Sequence, residues 1–162
     1  MTSPAAWTHL DAENNPSMVD ISGKQAGVRT AVAAAELLLP PEVALQLRDG
    51  DIRSPKGPVF QTAIIAGTMA AKQTASLIPF CHPLPVDAVR IAIAPPKDGT
   101  LRIEATVKTT HKTGVEMEAL TAATVAALTV YDMCKALSPA MEIRRVRLLE
   151  KRGGKGDFTA DG

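Results

Sequence analysis

A chain of 162 residues, 46% hydrophobic and 22% charged, is long enough to close one core as a single globular domain. A net charge of +1 gives no general attraction to nucleic acid or anionic membrane, and 3% aromatic content supplies no stacking platform for bases. No charge-free apolar stretch is long enough to span a bilayer, and the start lacks the basic and apolar regions of a secretory signal, so a soluble cytoplasmic protein with free thiols at Cys81 and Cys134 is expected.

Residues 1–16 read as a flexible arm without periodicity, in which Trp7 alone offers something to dock. The folded domain is expected over residues 17–151. Met18-Val19-Asp20-Ile21 reads as a short strand and Gly23 as a turn. In Val28–Leu39 the alanines favour helix while Val28, Thr30, Val32 and Leu38 alternate as in a strand; strand is preferred on the topological ground given below. Pro40-Pro41 ends it, and Pro41 opens a short helix over Glu42–Leu47.

Asp49–Pro58 has the composition of a loop, and Lys56 projects from its constrained Pro55-Lys56-Gly57 turn; most lysines so placed are merely solvated. Val59–Leu77 carries apolar residues at helical spacing. Gly67 within it costs about 1 kcal/mol against alanine, which points to close packing on another backbone. The prolines at 79, 83 and 85 then hold Cys81 and His82 side by side in a rigid loop. Val89, Ile91 and Ile93 alternate, as do Leu101, Ile103, Ala105 and Val107 after the Pro95–Gly99 turn, which makes an antiparallel hairpin.

Thr113–Leu137 is the most informative stretch. From Glu116 it runs for about six helical turns, with hardly a polar side chain between Glu118 and Asp132. Leu120, Ala123, Ala127, Val130 and Cys134 fall on one face and Ala119, Ala122, Ala126, Thr129 and Met133 on another, so the helix needs cover nearly all round. A second copy of the chain is the natural extra cover. Asp132 and Lys135, at i and i+3, can form an ion pair, a feature more often structural than catalytic when taken alone. Glu116 and Glu118 stand where loop becomes helix; in extended backbone they would point the same way. Ile143–Glu150 supplies a last strand whose Arg144-Arg145 doublet suggests a bulge. Residues 152–162 form a glycine-rich basic tail, able to wrap an anion with amides and lysines or simply to remain loose.

From residue 28 the order is strand, helix, strand, strand, helix, strand, with a small helix inserted early. That order predicts an α+β, ferredoxin-like split βαβ fold, an antiparallel sheet packed against two long helices. A strand at Val28–Leu39 is what completes it. The charged residues gathered by these elements suit an anionic, polyfunctional substrate: cations for phosphates, paired lysine and aspartate for proton transfer. Zinc is disfavoured, because adjacent Cys81 and His82 rarely reach one metal and no Cys-x2-Cys or His-x3-His pair occurs.

The segments Met18–Ser22, Ile78–Leu84, Lys112–Ala122, Tyr131–Ala136 and Gly153–Phe158 resemble, in order, those of the cyclic pyranopterin monophosphate synthases of molybdenum cofactor biosynthesis. The resemblance implies a lyase, and no cofactor or metal is assigned to it. It would convert 3′,8-cyclo-7,8-dihydroguanosine 5′-triphosphate to cyclic pyranopterin monophosphate and release pyrophosphate. It also implies a homohexamer, a trimer of dimers with active sites at the dimer interface.

Carried over by position, the catalytic residues are Asp132, Lys135 and Lys56, and Phe80, Cys81, His82, Met117 and Glu118 contact substrate with Glu116 beside them. Arg29 and Lys151 fall at phosphate-contacting positions. Departures from the family pattern, Pro58 and Phe80, remove no reactive group. On this basis Lys135 and Lys56 shuttle protons, with pKa values lowered by neighbouring cations. His82, Arg29 and Lys151 hold the triphosphate while the 3′-hydroxyl attacks the α-phosphorus. Two rival readings are a non-catalytic nucleotide-binding module of the same fold and an RNA binder. The second is disfavoured by strands without surface aromatics.

Overall fold

The computed structural model describes residues 10–11 and 13–161. Most of the arm read over residues 1–16, Trp7 included, lies outside the described residues; in the part described, Leu10 bridges Pro16 and the Asp11 carboxylate accepts the amides of Glu13 and Asn15. The elements are β1 (Gly27–Leu38), α1 (Pro41–Ala44), β2 (Leu47–Arg48), β3 (Asp51–Ser54), β4 (Gly57–Pro58), α2 (Val59–Lys72), α3 (Thr74–Leu77), β5 (Ala88–Lys97), β6 (Thr100–His111), α4 (Glu116–Cys134), β7 (Glu142–Arg152) and β8 (Phe158–Thr159).

The main sheet has the order β5-β6-β1-β7-β8, every pair antiparallel. Its long strands give the ferredoxin-like split βαβ arrangement, with β1 inside between β6 and β7 and α2 and α4 as the packed helices. The alanine-rich β1 is a strand because alternate residues, Ala31, Ala33, Ala35 and Leu37, face the core, where they are fully buried. Opposite them Leu101, Ile103, Ala105 and Val107 of β6 are buried as well. The expected bulge in β7 is present: the register with β1 shifts between Ala34 and Glu36, and Arg145 has φ 53°.

Several local expectations differ from the structure. Met18–Ile21 is not a strand, and the Val19 carbonyl goes to the His82 ring rather than to a ladder. The Asp49–Pro58 stretch folds into a small sheet, β2-β3-β4, because Asp49-Gly50, with φ 51° and 81°, makes a two-residue hairpin turn. Asp98-Gly99, at φ 50° and 72°, is the turn between β5 and β6; Pro95 and Pro96 lie within β5, which tolerates them as the edge strand. The first long helix ends at Lys72 and a separate turn, α3, follows from Thr74, whose hydroxyl donates to the carbonyls of Ala70 and Ala71. The short helix stops at Ala44, three residues before the expected Leu47. The chain's last segment turns back, and Phe158–Thr159 pairs with Glu150 and Lys151.

Two details position the site. Proline at 58 gives α2 no side-chain cap of its own, and Asp51 of β3 substitutes, accepting the Phe60 and Gln61 amides at 2.7 and 3.3 Å. That ties the Lys56 turn to the start of α2. Gly67 is where α2 meets α4: a Cβ there would stand 2.7 Å from the Ala122 carbonyl oxygen and 2.5 Å from Ile91 Cδ1. The backbone contact expected from sequence is therefore present. Gly67→Ala is expected to destabilise the fold by about 1–3 kcal/mol in chemical denaturation, although the substitution favours helix by about 1 kcal/mol.

Candidate active site

α4 carries a charge cluster at each end. At its C-terminal end Asp132 accepts from two lysines, Lys135 through Oδ1 at 2.7 Å and Lys56 through Oδ2 at 2.8 Å. Lys56 arrives on the turn between β3 and β4. The Ser54 hydroxyl holds that turn, accepting from the Lys56 amide and donating to the Gly57 carbonyl. All three charged side chains are about half exposed. The two ammoniums pull the Asp132 carboxyl down from 3.8 to about 2, Lys135 having the larger effect. In return, the hydrogen bond and charge of Asp132 push Lys135 above its ordinary value. This reverses the expectation of a lowered lysine pKa: within one chain the nearest charge to Lys135 is a carboxylate.

At the N-terminal end, two adjoining clefts open. The larger, about 540 Å³, has an apolar wall of Val19, Ile21, Phe80, Leu84 and Met117 and a polar side with Cys81, His82, Glu116 and Glu118, and it shares Lys24, Lys151 and Lys155 with the smaller. The smaller, about 210 Å³, is basic: Lys24, Arg29, Lys112, Lys151, Arg152 and Lys155 line it, with Glu116 at the seam. Lys151 forms an ion pair with Glu116 at 3.3 Å, and Arg29 Nε donates to the His111 carbonyl. A Cβ at position 114 would meet the Glu116 carboxylate, which would have to swing aside.

Glu116 and Glu118 both lie in the first turn of α4, not in extended backbone, so they leave the helix in different directions. Glu118 is 4% exposed. Burial pushes its carboxyl above 4.5, its own backbone amide pulls it partly back, and the charge of Glu116 raises it again. Burial and Glu118 together push the Cys81 thiol up. The floor of the larger cleft thus favours protonated groups, while the smaller cleft is rich in fixed positive charge. His82 belongs to the first cleft and not to the basic one, and its Nε2–H donates to the Val19 carbonyl at 2.7 Å. The structure therefore sets His82 apart from Arg29, whereas Lys151 lines the larger cleft with His82 as well as the smaller one.

The site residues expected from sequence are brought together in two groups rather than one. Asp132 stands sixteen residues beyond Glu116, about 24 Å along the helix axis. Sequence reasoning passed over Lys24, Lys112 and the apolar wall of Val19, Ile21 and Leu84. The only signal for the two lysines was their position beside Gly23 and Thr113-Gly114.

Residues 18–154 match the model of the MoaC family. The chain belongs to the MoaC family. It is 56% identical over 156 residues to a cyclic pyranopterin monophosphate synthase of Xanthomonas oryzae pv. oryzae, covering 96% of this chain and 94% of that protein. A protein of the same name from Nostoc sp. is 52% identical, with 95% and 92% covered. A molybdenum cofactor biosynthesis bifunctional protein of Synechocystis sp. is 52% identical over 157 residues, which are 94% of this chain and 45% of that protein. The MoaC span holds every residue of both charge clusters and both clefts except Lys155.

Because its folded pKa is depressed, the paired Asp132 carboxylate contributes stability that is fully present above 3.8 and is lost as pH falls through about 2. Carbon NMR should find Asp132 titrating near 2. In Lys135→Met the midpoint should move back toward 3.8.

Proposed function

We propose that this chain is a lyase of molybdenum cofactor biosynthesis that forms cyclic pyranopterin monophosphate, the product named in its full-length relatives. The substrate is 3′,8-cyclo-7,8-dihydroguanosine 5′-triphosphate. What carries the reading to this substrate is the pairing of two unlike clefts at the start of α4. An apolar-walled cleft with a buried carboxyl suits a flat, hydrogen-bonding ring system, and the adjoining basic cleft suits a triphosphate.

The catalytic half of the site comes from a second copy. Asp132, Lys135 and Lys56 lie too far along α4 to meet a substrate held beside Glu118 of the same chain. A two-fold axis crossing α4 near its middle sets the Asp132 end of one copy beside the Glu118 end of the other. Apolar side chains left exposed on the helices, Leu128 of α4 and Ile65 and Met69 of α2, are consistent with such burial. Three such dimers make the homohexamer. The site is that of a cytoplasmic enzyme with reduced cysteines.

In this site Lys135 and Lys56 enter as ammoniums. As the purine-derived ring opens, one gives its proton to the departing nitrogen. The amine so formed then takes the proton of the 3′-hydroxyl as that oxygen bonds to the α-phosphorus and the bond to pyrophosphate breaks. Asp132 holds both lysines in place through its two oxygens. Arg29 and Lys151 keep the phosphates aligned and take the charge of the leaving pyrophosphate. A non-catalytic nucleotide-binding module would have no use for the lysine–aspartate–lysine cluster.

Purified protein supplied with enzymatically generated cyclic dihydro-GTP is expected to release pyrophosphate and yield a pterin that becomes fluorescent on oxidation. Lys56→Ala and Lys135→Ala should each lower turnover by about 10²-fold or more, the usual contribution of a positioned proton donor. Near-normal turnover in Lys135→Ala would remove the role given to that lysine.

A further inference from the structure

Residues 17–26 contain no helix or strand, yet they carry Val19 and Ile21 in the wall of the larger cleft and bring Lys24 to both clefts. Main-chain pairing with the sheet does not hold them there. Two side-chain tethers from distant parts of the chain do: His82 Nε2–H donates to the Val19 carbonyl at 2.7 Å, and Lys112 Nζ donates to the Ser22 carbonyl at 2.8 Å. Between these points the segment folds on itself. Asp20 Oδ1 accepts the Ser22 amide at 2.8 Å, and the Lys24 amide donates to the Ile21 carbonyl at 3.1 Å. The Asp20 carboxylate also feels the positive charge of Lys112.

The tethers act at different ends. His82 secures Val19, whereas Lys112 secures the turn from which Lys24 projects. Among the described residues no further anchor of this kind reaches the segment beyond Ser22 until β1 begins at Gly27. Lys112 lines the basic cleft, but its ammonium is directed to a backbone carbonyl.

We propose that Lys112 is a positioning residue: it clasps residues 20–24 against the end of β6 and so holds Lys24 in the basic cleft, preorganised for the phosphates of the substrate. The proposal rests on the reading of that cleft as the triphosphate site. Preorganisation of this kind lowers the ordering cost of binding without touching the reacting atoms, so loss of Lys112 weakens the binding of phosphates.

The test uses the intact full-length protein with Lys112→Met, Lys24→Met, their double variant and Lys112→Arg. In the absence of ligand, amide exchange across residues 18–24 should rise about tenfold in Lys112→Met, equivalent to about 1.4 kcal/mol of lost closure, and return in Lys112→Arg. Inorganic tripolyphosphate should bind Lys112→Met about tenfold more weakly than wild type, and the same substitution should add nothing in the Lys24→Met background. Unchanged exchange in Lys112→Met overturns the clasp. So do losses at Lys112 and Lys24 that simply add, which would mark Lys112 as a direct phosphate contact. Wild-type protein that fails to bind tripolyphosphate overturns the phosphate reading of the cleft, and with it the role of Lys112 in binding; the exchange measurement tests the clasp apart from that reading.

Discussion

α2 and α4 approach so closely that a single methyl group at position 67 would meet the backbone of the other helix. Ala122 and Ala126 make the same concession from the α4 side, and both are fully buried. With no long side chain to spare on these faces, contact is between backbones, and the helix is held rigidly against the sheet. Rigidity matters because α4 is the ruler of the molecule. The two charge clusters sit at its ends, and their separation is set by helix geometry rather than by loops.

The clusters differ in their electrostatics as well as their place. At the C-terminal end, ions meet in water: Asp132 is held between two half-exposed lysines, which keeps it charged and makes Lys135 slower to give up its proton. At the N-terminal end a carboxyl is buried and pushed toward its neutral form, beside a basic cleft in which Lys151 pairs with Glu116 and Arg152 with Glu150 and Asp157. On the function proposed above, one end moves protons and the other recognises a ring bearing phosphates. Bringing the proton-transfer end of one copy onto the recognition end of another would withdraw Lys135 from solvent and add the cations of the basic cleft to its surroundings. Both changes favour its neutral form.

Much of this was legible in the chain. Periodicity located α2, α4 and the β5–β6 hairpin, topology decided β1, the Arg144-Arg145 doublet marked the bulge, and Gly67 pointed to a close backbone approach. The resemblance to known synthases named the two groups of site residues. Their division between the two ends of α4 follows from sixteen residues of helix, a spacing that the sequence reading did not turn into a distance. The Asp49-Gly50 hairpin was passed over although its turn signal is strong, since two-residue strands leave almost no alternation to detect. Lys24 and Lys112 were missed for another reason: their roles depend on hydrogen bonds to a segment with no periodic pattern at all.

The claim that one site is shared by two copies is open to a direct measurement. Asp132→Asn, defective at the C-terminal end of α4, and Glu118→Gln, defective at the N-terminal end, would be produced separately and also co-expressed with different tags. The mixed oligomer would be isolated through both tags and its turnover measured. If the site forms between copies, each variant alone is nearly inactive and the mixed oligomer recovers activity, because some of its sites unite two intact halves. A mixed oligomer no more active than its parents would contradict the account and return both clusters to a single chain.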